Sequence, residues 1–107
     1  MAIKRIWHGW TTQGNADNYQ DIVTGTVFPR IEAKQIPGYL GVELLRRDHG
    51  HEVEFVTIMT FESLDAVKGI QGEDYEKSYV PEEAQQVLKR WDDYCSHYTE
   101  IDERSYS

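Results

Sequence analysis

Residues 39–62, YLGVELLRRDHGHEVEFVTIMTFE, decide the fold. Two runs that read as strands, 39–47 and 52–62, the second rich in β-branched and aromatic residues, flank Asp48-His49-Gly50-His51. That short polar segment carries a glycine where positive φ is wanted, so the stretch predicts a β-hairpin. His-x-His beside an aspartate could chelate a metal, but at a hairpin tip the composition is that of a turn, and no metal site is expected. Arg46-Arg47 would be a solvated or interface pair, matching Glu52 and Glu54 across the turn.

Outward from the hairpin the pattern continues. Residues 3–11, IKRIWHGWT, alternate and predict a first strand. Gly14-Asn15 breaks it, with Asn15 a natural N-cap. Ala16, Tyr19, Ile22, Val23 and Val27 recur at helical spacing. Pro29 cannot donate to the Gly25 carbonyl, so a kink is expected there. Past the hairpin, Ser63 caps a helix over 64–70, ended by Gly72-Glu73-Asp74. Tyr75 to Val80 suggests a helical turn. Pro81 opens a helix over 81–93, with Glu82 and Glu83 at its start and Lys89 and Arg90 near its end. Residues 94–101, YCSHYTEI, alternate and predict the last strand.

The order β-α-β-β-α-β is the ferredoxin-like plan, an α+β fold. Right-handed crossovers set a four-stranded antiparallel sheet in the order 4-1-3-2. Both faces of that sheet are apolar. Val53, Phe55, Met59 and Phe61 oppose Val56 and Ile58, and Ile6 and Trp10 oppose Ile3 and Trp7. Helices cover one face. A second copy of the chain is the economical cover for the other, so a homodimer is expected.

Composition agrees with one small domain. The chain has 107 residues, 39% hydrophobic and 28% charged, and is read as a single domain over 1–107, with a core of about 3–101 and a polar tail, 102–107. A chain of this size hides roughly 65% of its unfolded surface on folding. Nineteen acids against eleven bases give a net charge of −8, which argues against nucleic acid or an anionic membrane as partner. The acids concentrate in the second half: residues 62–107 carry twelve, against five bases. The start, MAIKRIWHGW, does not read as a signal peptide, and no run approaches the ~18 apolar residues of a membrane span. A single cysteine, Cys95, excludes an internal disulfide and fits a reducing cytoplasm, where it would be a small buried filler.

The chain has no GxGxxG, no phosphate loop, no GxSxG, no HExxH and no CxxC. The candidates for chemistry are therefore single residues. His8 and His97 fall mid-strand on strands expected to be neighbours, about 4.5–8 Å apart between β-carbons. A histidine in an aromatic wall can act as general base. Each also reads as a core histidine satisfied by the backbone. Trp7, Trp10, Trp91, Tyr19, Tyr75, Tyr79, Tyr94 and Tyr98 are mostly core, but some could wall a slot for a small aromatic or quinone-like molecule.

Several segments, in this order and spacing, resemble the antibiotic biosynthesis monooxygenase-like family. They are Arg5 to Gly9, Pro37 to Gly41, Glu54 to Val67, Gly72 to Asp74, Pro81 to Glu83 and His97 to Thr99. The resemblance runs over about residues 4–100 and is to the small single-domain bacterial members. It implies a dimeric α+β barrel with a ligand pocket between sheet and helices. It also implies oxygenation of an aromatic molecule by molecular oxygen, without metal, flavin or haem. In that reading His8 or His97 is the base, and Trp10, Tyr79, Phe61 and Trp91 wall the slot. The family often has tryptophan where this chain has Phe61. Its haem-degrading branch uses an axial histidine from the second helical region; this chain has none between His51 and His97. The other expectation is a non-catalytic small-molecule binding or stress-response module on the same barrel.

Overall fold

The hairpin forms as its sequence requires. In a computed structural model describing residues 1–106, β2 (Tyr39–Asp48) and β3 (Val53–Phe61) pair antiparallel. Gly50 turns the chain at φ +85°. The Asp48 carboxylate accepts from the Gly50 N–H at 2.7 Å and from the Gln13 amide at 2.6 Å, a side-chain-locked turn. β1 (Ile3–Thr11) lies antiparallel along the far edge of β3, with Arg5 opposite Met59 and Trp7 opposite Thr57. The free edge of β1 takes β4 (Arg90–Trp91) and β5 (Ser96–Thr99). The sheet order is β2-β3-β1-β4 with β5 also on β1, so the expected 4-1-3-2 arrangement holds with its last position shared by two short strands.

The first crossover is one long helical segment of changing pitch. It comprises α1 (Ala16–Ile22), a π-helical turn (Val23–Val27) and α2 (Phe28–Ala33). The Phe28 N–H reaches back five residues to the Val23 carbonyl. The wide turn lets the chain pass Pro29, which has no N–H of its own, without ending the helix. The π turn stands where a kink was expected from Gly25 and Pro29. Asn15 stands at the α1 cap position but makes no side-chain cap bond. The capping oxygen is that of Thr12, which accepts from the Asn15 N–H at 3.2 Å.

The second crossover departs from expectation after α3 (Leu64–Gln71), which Ser63 caps through the Ala66 N–H at 3.2 Å. Tyr75 to Val80 is not a helical turn throughout: turns end at Glu76, Lys77 bridges to Tyr94, and 78–80 are neither helix nor strand. The helix expected over 81–93 is only α4 (Glu82–Gln85). The reason is the open edge of β1. The Lys89 N–H donates to the Trp10 carbonyl at 2.7 Å and the Asp92 N–H to the His8 carbonyl at 3.0 Å. Edge pairing satisfies groups that an isolated short helix would leave to water.

The odd residues of β1 and β3 face the helices. Val53, Phe55, Ala16, Tyr19, Val23, Ala84 and Leu88 form the buried core there, with the Tyr19 and Phe55 rings 4.8 Å apart. The even residues, Ile6, His8, Trp10, Val56 and Ile58, face outward and are only partly buried, with Leu45 half exposed beside them. Among the described residues no helix is long and apolar enough to cross a membrane.

Candidate functional site

Between the sheet and α1–α2 the chain leaves a cavity of about 170 Å³. Strand parity decides its floor: Arg5 and Trp7 from β1, Thr57, Met59 and Phe61 from β3, and Tyr39 from β2. Its roof comes from the helical segment, through Tyr19, Val23, Phe28 and Ile31. Its side is the irregular stretch Ser78 to Pro81, with Cys95. That stretch is tied to the segment before β5: Ser78 donates its N–H to Asp93 and its hydroxyl to Asp92, both at 2.8 Å, and the Trp7 indole donates to the Asp92 carbonyl at 2.8 Å.

The walls are aromatic and aliphatic, but the charge is one-sided. Arg5, Arg30 and Lys34 line the cavity; among the described residues no aspartate or glutamate does. Arg30 pairs outward with Glu83 at 2.7 Å. Arg5 is only 5% exposed and has no carboxylate partner among the described residues. Its guanidinium donates to the Tyr75 and Lys77 carbonyls and lies 2.9 Å from His97 Nε2. Burial holds its pKa below the ordinary arginine value. A second polar group is unspent: the Tyr39 hydroxyl is buried without a hydrogen-bond partner. Burial, helped by Glu32, raises its pKa and keeps it a neutral donor. Cys95 is buried in the wall, and burial raises its pKa too, so it stays a thiol.

Of the residues expected from the sequence, Phe61 and Tyr79 line this cavity, and His8, Trp10, Trp91 and His97 do not. Phe61 is buried; Tyr79 is 74% exposed, at the rim. Trp91, opposite Gly9, packs against the core instead. The two histidines do not face each other. β5 pairs His97 with Arg5, on the cavity side, whereas His8 is an even residue of β1 and points to the outer face. His97 meets the cavity through Arg5, and its ring stands edge-on to Tyr75 at 5.2 Å. Residue spacing alone did not set the register of β5, and a shift of one residue reverses the face.

On the outer face His8 Nδ1 lies 2.6 Å from Glu54, whose other oxygen meets His49 Nε2 at 2.8 Å. Those two contacts hold the Glu54 carboxyl below its ordinary pKa, His49 contributing more than His8. His8 also stacks on Trp10, over which Arg90 sits at 4.4 Å. Arg90 and Lys89 both grip Glu52, which is 5% exposed and pushed down to about 2. Glu52 is thus matched by Lys89 and Arg90 rather than by the hairpin arginines. Arg46 reaches back to Asp17 at 2.8 Å, and Arg47 stands opposite Glu54 in the β2–β3 register. Among the described residues no group of three or more His, Cys, Asp or Glu is placed to hold a metal ion.

Arg5 is the cavity residue that sequence reading missed. The available signal was a charged residue sharing one face of the first strand with Ile3 and Trp7, which the alternation of 3–11 already exposed.

No protein-family model matches the chain, and no curated protein matches it. Solved structures do match along its length. One is a Bacillus cereus protein assigned as an antibiotic biosynthesis monooxygenase, at 12% identity and TM-score 0.62, covering 100% of this chain and 98% of that one. Another is Rv0793 from Mycobacterium tuberculosis, at 14% identity and TM-score 0.60, covering 98% of this chain and 100% of that one. A third is SnoaB, a cofactor-independent oxygenase from Streptomyces nogalater, at 15% identity and TM-score 0.58, covering 95% of each chain. The chain shares the fold of these proteins over essentially all of its length.

Proposed function

We propose that this protein is a cofactor-independent monooxygenase acting on a small aromatic or quinone-like molecule bound in the sheet–helix cavity. The observation that carries the reading is Arg5, a buried cation with no carboxylate partner in an aromatic wall. Molecular oxygen reacts slowly with closed-shell organic molecules until they become electron-rich. A phenol or enol that ionises beside a buried guanidinium does so, because the anionic oxygen is stabilised far more there than in water. The proton leaves through the solvent-exposed rim at Tyr79, and the Tyr39 hydroxyl offers a further donor to the oxyanion. The anion passes an electron to oxygen and the two radicals combine. Overall an activated ring CH₂ becomes C=O: one oxygen atom enters the product, and the other leaves as water with the two hydrogens.

His97 enters this scheme through Arg5, accepting from the guanidinium and holding it at the wall. The likeness of fold to SnoaB supports the same reading. The outer sheet face, with Ile6, Val56 and Ile58, supports a homodimer in which a second copy covers it.

One observation favours the alternative, a non-catalytic binding module: no histidine or carboxylate lines the cavity among the described residues. Oxygen uptake with a panel of anthrones and hydroquinones separates the two. Uptake that falls at least tenfold in Arg5→Gln, falls less in His97→Gln and is unchanged in His8→Ala supports the oxygenase. No uptake across the panel supports the binding module.

A further inference from the structure

The ligand's charge is written in the cavity. The whole chain carries −8, with nineteen acids. Yet every charged residue lining the cavity is a cation: Arg5 in its wall, Arg30 and Lys34 at its helical side. Lys34 makes no ion pair among the described residues, and Arg5 gives its hydrogen bonds only to two carbonyls and one imidazole. A buried charge without a counter-charge costs several kcal/mol. An anionic ligand would relieve that cost on entry. The aromatic wall around it, Trp7, Tyr19, Phe28 and Phe61, fits a flat ring. At about 170 Å³ the cavity falls below the ~300–1,000 Å³ of drug-sized sites, which suits one or two rings rather than four.

We propose that the cavity selects an aromatic acid: a one- or two-ring molecule carrying a carboxylate, held as its anion by Arg5. This rests on the cavity being the ligand site, as in the proposed function, and deepens that reading by naming the substrate class. It does not depend on turnover.

The test is calorimetric titration of the full chain at pH 7.5 with 3-hydroxy-2-naphthoate and its neutral amide, two probes of nearly equal shape. The acid is expected to bind at least tenfold tighter than the amide. Arg5→Gln should reduce that ratio to about one, and Arg5→Lys should keep part of it, because a point charge remains without the planar fork. His8→Ala, on the outer face of the sheet and away from the cavity, should leave the ratio intact. An amide that binds as well as the acid overturns the proposal. So does failure of both probes to bind, or a ratio unchanged in a folded Arg5→Gln. Should that variant not fold, the wild-type ratio and its reduction in Arg5→Lys decide. Selective binding without oxygen uptake would leave this proposal standing and remove the oxygenase.

Discussion

His97 Nε2 lies 2.9 Å from Arg5 Nη1, across the β1–β5 pair on the cavity side of the sheet. Arginine can only donate, so this ring nitrogen accepts and the imidazole is neutral, with its proton on Nδ1. Burial first, and the Arg5 charge second, lower the His97 pKa from 6.5.

The first prediction follows from that neutral state. In the unfolded chain His97 titrates near 6.5; in the folded chain it titrates lower. Its contribution to stability is therefore full above about pH 6.5 and is lost as pH falls through the folded value. Proton NMR should find the folded His97 resonance titrating below 6.5 and moving up in Arg5→Gln. Urea midpoints of wild type and His97→Gln should converge as pH falls from 7.5 to 5. Parallel midpoints at both pH values would refute the pairing.

Trp7 rests on Gly9. A Cβ there would lie 2.6 Å from the Trp7 Cη2 and 3.1 Å from Leu88 Cδ2. Gly9→Ala should push the indole into the cavity, costing about 1–3 kcal/mol of stability and weakening ligand binding. Near-ultraviolet circular dichroism and a denaturant titration check both effects. Gly14→Ala, with nothing within 4 Å, should move neither signal.

Two glycines with nearly equal φ should respond differently to alanine. Gly38, at +81°, would place its Cβ 2.8 Å from the Ala66 Cβ, and its carbonyl accepts from the Glu62 N–H at 2.8 Å. Gly50, at +85°, has open space. The left-handed backbone alone costs about 1–2 kcal/mol. Gly50→Ala should stop there, and Gly38→Ala should lose roughly a further 1–2 kcal/mol from overlap. Equal losses in thermal or chemical unfolding would contradict the contact at Ala66.

The outer sheet face can be tested by charge. Ile58→Lys places an ammonium opposite Ile6 and Glu43, in the middle of the surface proposed to meet a second copy. Sedimentation at micromolar concentration should give a dimer for wild type and a monomer for the variant. A wild-type monomer would remove the dimer from the proposed function.

Most of the scaffold was legible because its signals are local. The hairpin is announced by a turn between two strand-like runs, and an irregularity in the first helical segment by Pro29, though not that it takes the form of a π turn. Ser63 and Gly72 bracket α3 to within a residue. Residues 86–93 were misread as a continuation of the helix because Lys89 and Arg90 look like its end, whereas their partner is Glu52, far away in sequence. The histidines were misplaced for a related reason. Parity within a strand is readable, but the face each strand shows depends on register with a neighbour, and β5 is only four residues long. Arg5 stood in plain sight and was passed over, since charge alone does not announce burial.

The π turn carries an evolutionary consequence. By length it is one residue more than a regular helix needs, and its carbonyl spacing is poorer. In a π turn each residue advances less than in a regular helix, so a chain shortened by one residue within 23–27 would wind a regular helix and leave Phe28, Arg30, Ile31 and Lys34 on the same face. The proline opposes that shortening, because inside a regular helix its ring would meet the carbonyl four residues back. A relative with a gap at this position should therefore have lost the proline and kept the cavity.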